Sequence, residues 1–210
     1  MKNIKKTMFI IFALFFQLSK AIAFSACSKC GNLEVPYPLS TNDNCGDSRY
    51  KVHCNDDILQ FKSSEGFYYN IHSIDPNAYK LIISPPEIQN GRCFSSDLSL
   101  GGLRLDENLP FNVSTHNTVM LLNCSNNLIN SPLNCSINSP CRQFEEKMIE
   151  ASGCKNTLCC TYLKDSAMTA HMIRVRIGGC TAYTSVVNFK PGDPVETWKY
   201  GIELQWIPPN

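Results

Sequence analysis

Four histidines (His53, His72, His116 and His171) are the chain's imidazoles, and none belongs to a metal-ligating or nucleophile-activating motif. There is no H-E-x-x-H, no G-x-S-x-G and no glycine loop that could cradle a phosphate. Two carboxylate pairs, Asp56-Asp57 and Glu145-Glu146, have the residue types of a glycosidase. Sequence neighbours diverge on a strand or a helix, however, and glycoside hydrolysis needs two carboxylates facing across a cleft. Asn42-Asp43-Asn44 with Asp47 offers calcium-type oxygen ligands, yet the same residues are standard turn formers. The expectation is therefore a non-catalytic protein with no metal centre and no bound cofactor.

The cysteines carry the strongest chemical signal. Twelve of them stand at Cys27, Cys30, Cys45, Cys54, Cys93, Cys124, Cys135, Cys141, Cys154, Cys159, Cys160 and Cys180. Cys27-Ser-Lys-Cys30 has zinc-ligand spacing, but a zinc ribbon needs a second such pair and none exists. A thioredoxin-like role lacks its strand–helix surroundings. An even count in a secreted chain reads as six disulfides.

The start of the chain supports that compartment. Lys2, Lys5 and Lys6 precede the apolar run Thr7–Leu18, and Ala21-Ile22-Ala23 supplies a small-x-small cleavage site. The run is short for a membrane span of roughly 20 residues and reads as a signal peptide, residues 1–23. Its removal takes four lysines and no acid from totals of 19 basic and 18 acidic side chains, leaving a net charge of −3. No basic field points to nucleic acid, and no second apolar stretch follows. A secreted, extracellular protein is expected.

Period-two alternation dominates what remains. Tyr50, Val52 and Cys54 alternate with Arg49, Lys51 and His53, and Phe67, Tyr69 and Ile71 alternate with Tyr68, Asn70 and His72. Tyr79, Leu81 and Ile83 follow; later come Ile173, Val175 and Ile177, then Ile202, Leu204 and Trp206. Phe144, Met148 and Ala151 fall at helical spacing within Pro140–Ser152, which Gly153 ends. The fold class predicted is mainly β and disulfide-rich, two small tied β subdomains with one short helix near 140–152. The boundary falls in 95–110, giving segments 24–104 and 105–210. Five cysteines precede it and seven follow, so an odd number of bridges must cross. Sequons at Asn112, Asn123 and Asn134 are candidate glycan sites.

Certain residues point to a family. Cys27-Ser-Lys-Cys30-Gly31, Val35-Pro36-Tyr37-Pro38-Leu39, Cys45-Gly46-Asp47, Tyr50 and Cys54 resemble the galacturonan-binding domain of plant wall-associated receptor kinases. Leu109-Pro110-Phe111-Asn112, Leu122-Asn123-Cys124, Leu158-Cys159-Cys160-Thr161 and Gly201-Ile202-Glu203-Leu204-Gln205-Trp206 resemble the C-terminal ectodomain of the same kinases. Members usually continue into a membrane span and a kinase, and this sequence stops before either. The resemblance implies a secreted module that binds pectin, an acidic cell-wall polysaccharide. The alternative is a receptor-type ectodomain or soluble decoy for a peptide or protein ligand.

Residues 24–104 carry seven basic and nine acidic side chains, so a polyanion needs a local cationic patch or bridging calcium. The expected contacts are Arg49 and Lys51 on one strand face, Lys62 on the next segment and an exposed Tyr68. Sugar C–H faces stack on a phenol ring that stays wet. Arg174 and Arg176 form the next face to consider.

Overall fold

Alternating burial along Ile58–Lys62 and Tyr68–Ile71 is the physical form of the period-two pattern: Leu59, Phe61, Tyr69 and Ile71 are buried while Ile58, Lys62, Tyr68 and Asn70 face water. The computed structural model describes residues 25–89, 91–126, 133–155, 157–163, 171–173 and 179–209. The signal segment and Arg174 and Arg176 lie outside them.

Among the described residues twelve strands run in chain order: β1 (Cys27–Cys30), β2 (Leu33–Val35), β3 (His53–Asn55), β4 (Ile58–Lys62), β5 (Tyr68–Asp75), β6 (Lys80–Ile83), β7 (Phe111–Val113), β8 (Asn117–Cys124), β9 (Leu158–Leu163), β10 (Ala182–Val187), β11 (Lys199–Tyr200) and β12 (Ile202–Trp206). They form an antiparallel β1–β2 pair, a four-stranded sheet ordered β11-β10-β8-β9 and a six-stranded sheet ordered β3-β4-β5-β6-β12-β7. The six-stranded sheet takes β3 to β6 from the first segment and β7 and β12 from the second. Backbone pairing of β6 with β12 therefore joins the segments in one sheet.

Val119-Met120-Leu121-Leu122 on β8 is a continuous apolar run because both faces of that strand are covered. Val119 and Leu121 enter the main core with Tyr50, Phe61, Leu81, Phe111 and Leu204. Met120 and Leu122 enter a second core with Phe144, Cys141, Cys159 and Trp198. The chain crosses from β11 to β12 at Gly201, where a Cβ would come within 2.4 Å of Ile82 Cγ2. Gly31, at φ +54°, turns β1 into β2 so close to the β3–β4 turn that a Cβ would meet Asp57 O at 2.2 Å.

Six disulfides use all twelve cysteines: Cys27–Cys45, Cys30–Cys54, Cys93–Cys154, Cys124–Cys180, Cys135–Cys160 and Cys141–Cys159. One of them, Cys93–Cys154, crosses between the segments, as the odd split requires.

Two sequence expectations need correction. Residues 50–54 are not one strand: Ser48–Tyr50 is a 3-10 turn because Asp47 caps it, accepting from Arg49 N at 3.0 Å, and β3 starts only at His53. The helix over 140–152 divides: α1 spans Pro140–Lys147, Met148 takes extended backbone, and a 3-10 turn covers Ile149–Cys154. Ser139 caps α1 and Pro140 opens it. Within the stretch 95–110, Leu98, Leu103, Leu105 and Asp97 are buried.

Candidate functional site

Strand register decides which exposed side chains of β3, β4 and β5 meet. His53 pairs with Gln60 and Gln60 with Asn70, while Lys62 pairs with Tyr68. Register partners share a sheet face, so these five residues lie on the side away from Leu59, Phe61 and Tyr69. Across the middle runs an amide ladder: Asn55 Nδ2 donates to Gln60 Oε1 at 2.9 Å, and Gln60 Nε2 donates to Asn70 Oδ1 at 2.9 Å. Ladder pairing fixes the amides in one direction. It leaves an acceptor end at Asn55 and a donor end at Asn70 that suit ligand hydroxyls.

Tyr68 stands beside the ladder, 46% exposed. The His53 ring meets it edge-on, with centroids 5.3 Å apart, and Lys62 Nζ lies 5.6 Å from the centre of its ring. Partial burial, then the charges of Lys51 and Lys62, hold the His53 imidazole below its ordinary pKa. Lys51 and Lys62 thus act electrostatically on the same histidine from two segments. An aromatic platform, two ammonium groups and a row of amides are the parts needed to hold an acidic sugar polymer.

The predicted site residues do not all assemble. His53 and Lys62 both lie against Tyr68, and the charges of Lys51 and Lys62 act on His53. Arg49 belongs to the 3-10 turn, where its guanidinium forks onto Asp47 (Nη2–Oδ2 2.6 Å, Nε–Oδ1 3.1 Å) and lies 5.7 Å from the Tyr50 ring centre. The Arg49 hydrogen bond outweighs desolvation and holds the Asp47 carboxyl below its usual range. Arg49 and Lys51 therefore do not share a strand face. Sequence reasoning missed Asn55, Gln60 and Asn70. Each reads as an ordinary polar position, and only the register makes a row of them.

A second polar cluster has the residue types of an acyl-transfer relay without its wiring. Ser114 Oγ donates to Glu203 Oε1 at 2.6 Å, and His116 Nδ1 and Lys80 Nζ reach the same oxygen at 2.8 and 3.1 Å. Burial pushes the Glu203 carboxyl up, but the hydrogen bonds from Ser114, His116 and Lys80 prevail and hold it low. Ser114 gives its proton to the carboxylate and not to the imidazole, so no activated nucleophile results. This is a pinned buried carboxylate joining β6, β12 and the β7–β8 connection.

Among the described residues no group of three or more His, Cys, Asp or Glu side chains could hold a metal ion. The Asn42–Asp47 segment is a turn in which Asn42 Oδ1 accepts from Asn44 N, and Asp47 is engaged with Arg49. No helix among the described residues is long and apolar enough to cross a membrane.

Residues 27–85, which include the whole β3–β5 face, match the family described as wall-associated receptor kinase galacturonan-binding. The chain is 40% identical over 191 residues to the wall-associated receptor kinase-like 20 protein of Arabidopsis thaliana, covering 88% of this chain and 29% of that protein. It is 36% identical over 213 residues to the wall-associated receptor kinase-like 15 protein of the same plant, covering 97% of this chain and 33% of that protein. The chain thus spans about a third of the length of these curated relatives. No solved structure matches it.

Proposed function

We propose, from the premise that this chain carries a wall-associated-kinase galacturonan-binding domain and is homologous to wall-associated receptor kinase-like proteins, that it is an extracellular, non-catalytic module holding acidic pectin on the β3–β5 face. The observation that carries the reading is the Lys51–His53–Lys62–Tyr68 group beside the amide ladder, inside the matched residues.

Exposed ion pairs contribute only about 0–1 kcal/mol each. Two ammonium groups fall far short of the roughly 8 kcal/mol that micromolar binding requires. Stacking on Tyr68, hydrogen bonds to the ladder ends and repeated engagement along the polymer supply the rest. Calcium bridging between the polymer and exposed carboxylates is a further contribution, since the segment's net charge repels a polyanion. Long oligomers should therefore bind far better than short ones, and salt should weaken them.

An immobilised array of wall polysaccharides, probed with the chain secreted and oxidised, tests this reading. Retention on de-esterified pectin that weakens with salt and with Lys62→Ala supports it. Absence of retention on every acidic polysaccharide overturns it and directs attention to a peptide or protein ligand.

A further inference from the structure

We propose that His53 takes up a proton when a uronate carboxylate docks beside it, so that the β3–β5 face holds ionised galacturonan more tightly in weak acid than at neutral pH. This deepens the reading above and rests on it.

Tyr68 links His53 to the cations of this face. Its ring meets the His53 ring from β5 and lies 5.6 Å from the Lys62 ammonium of β4, while Lys51 stands two residues before His53 in the chain. His72 lies farther along β5 among the exposed positions, and Asp56 and Asp57 occupy the turn at the far end of β3. In the free protein the charges of Lys51 and Lys62 disfavour a third positive charge, as does partial burial. The imidazole is therefore neutral over part of the range in which an unperturbed histidine would be protonated.

A carboxylate arriving between Lys51 and Lys62 removes that penalty. Its negative charge offsets the ammonium groups, and an imidazolium beside it gains an opposite charge at short range. The proton comes from solvent. By linkage, a ligand that raises a group's affinity for a proton is itself bound more tightly where that proton is abundant. The limit is about tenfold per pH unit for one proton. The window lies below about pH 6.5, the ordinary histidine value, and closes near pH 3.5, where carboxyls of this type lose their charge. A methyl ester carries no charge and gains nothing.

The test measures the Kd of the full chain for a de-esterified oligogalacturonate of defined length, from pH 7.5 to 4.5 at constant ionic strength. Calorimetry in two buffers of different protonation enthalpy counts the protons taken up. The proposal expects affinity to rise several-fold between pH 7 and pH 5, with net proton uptake. It expects no such rise for the methyl-esterified oligomer, a flat profile for His53→Gln and a retained slope for His72→Gln. Binding without proton uptake, or the same slope in His53→Gln, overturns the proton linkage and leaves the site reading standing. No binding at any pH overturns both.

Discussion

Tyr183, fully buried on β10, donates its hydroxyl to Asp97 Oδ2 at 2.5 Å. Tyr69 on β5 donates to the same oxygen at 2.8 Å, so one carboxyl holds the two sheets together. Asp97 is 1% exposed, and its other oxygen has no hydrogen-bond partner among the described residues. Burial raises its pKa above the ordinary 3.8, and the hydrogen bonds from Tyr183 and Tyr69 only partly offset this. A carboxyl raised on folding favours the native state while it is protonated. That contribution is complete below pH 3.8 and is lost as pH rises through the folded value. The stability difference between the wild type and Asp97→Asn should thus shift against the wild type as pH rises from about 4. Urea unfolding of both proteins across pH 4–8 checks this, and parallel profiles would refute it.

The two tyrosines should differ in cost. Tyr69 makes one hydrogen bond, whereas the Tyr183 hydroxyl also accepts from Leu103 N at 3.1 Å. Tyr69→Phe should lose about 1 kcal/mol, the net worth of one hydrogen bond. Tyr183→Phe should lose about 2–3 kcal/mol, because it also strands a buried N–H. Equal losses in chemical denaturation would show that the Leu103 contact contributes nothing.

Non-reducing peptide maps should return the six pairs given above, with no free thiol. Among them, Cys93–Cys154 closes the longest loop, with a separation of 61 residues against 18 for Cys27–Cys45. Chain-entropy arguments give about 4 kcal/mol for the first and about 3 kcal/mol for the second. Replacing both members of each pair by Ala should lower the unfolding midpoint further for Cys93–Cys154. The opposite order would mean that backbone pairing between β6 and β12 already supplies the restraint.

How much of this could be read from the residues depends on whether the signal was local. The alternation of Tyr68 to His72 and of Ile202 to Trp206 survives as β5 and β12, because each strand has one face on the main core. The stretch Arg49 to Cys54 alternates just as well and is mostly not a strand. A capping carboxylate at Asp47 and the burial of Tyr50, whose hydroxyl reaches Ile207 O at 2.6 Å, outweigh propensity there. Tyr79, expected as the first strand residue, sits at φ +56° in the turn before β6. The disulfide count was legible and the pairing was not. The amide ladder depends on register across three strands, which a single chain does not spell out.

The three sequons occupy different environments. Asn134 is exposed, and its Oδ1 accepts from Ser136 N at 3.1 Å, which leaves the amide nitrogen outward. Asn112 is half-buried on β7, the edge of the six-stranded sheet. Asn123 has φ +48°, adjoins the Cys124–Cys180 bridge and donates Nδ2 to Thr181 Oγ1 at 2.8 Å. A glycan on that nitrogen would cost the bond and crowd the bridge. Glycopeptide mapping of the secreted chain should find Asn134 and Asn112 occupied and Asn123 bare. A fully occupied Asn123 would require a different local arrangement.

The last prediction separates two cations that look equivalent in the sequence. Lys62 stands exposed over the ring of Tyr68, with no acidic partner among the described residues, whereas Arg49 is forked onto Asp47. A polymer carboxylate approaching Arg49 must compete with a carboxylate already held in ideal bidentate geometry. At Lys62 it meets an exposed ammonium group held over a π-face. Lys62→Ala should weaken binding to de-esterified oligogalacturonate by up to about fivefold per engaged site, the scale of one exposed charge contact. It should also flatten the dependence on salt. Tyr68→Ala should weaken binding at every salt concentration, because stacking is not screened. Arg49→Ala should leave the salt slope nearly unchanged and instead loosen the 3-10 turn that Asp47 caps. Titrations at two ionic strengths for all three variants decide it. If Arg49→Ala carries the larger loss of affinity and of salt dependence, the binding face lies over the 3-10 turn and not on β3–β5.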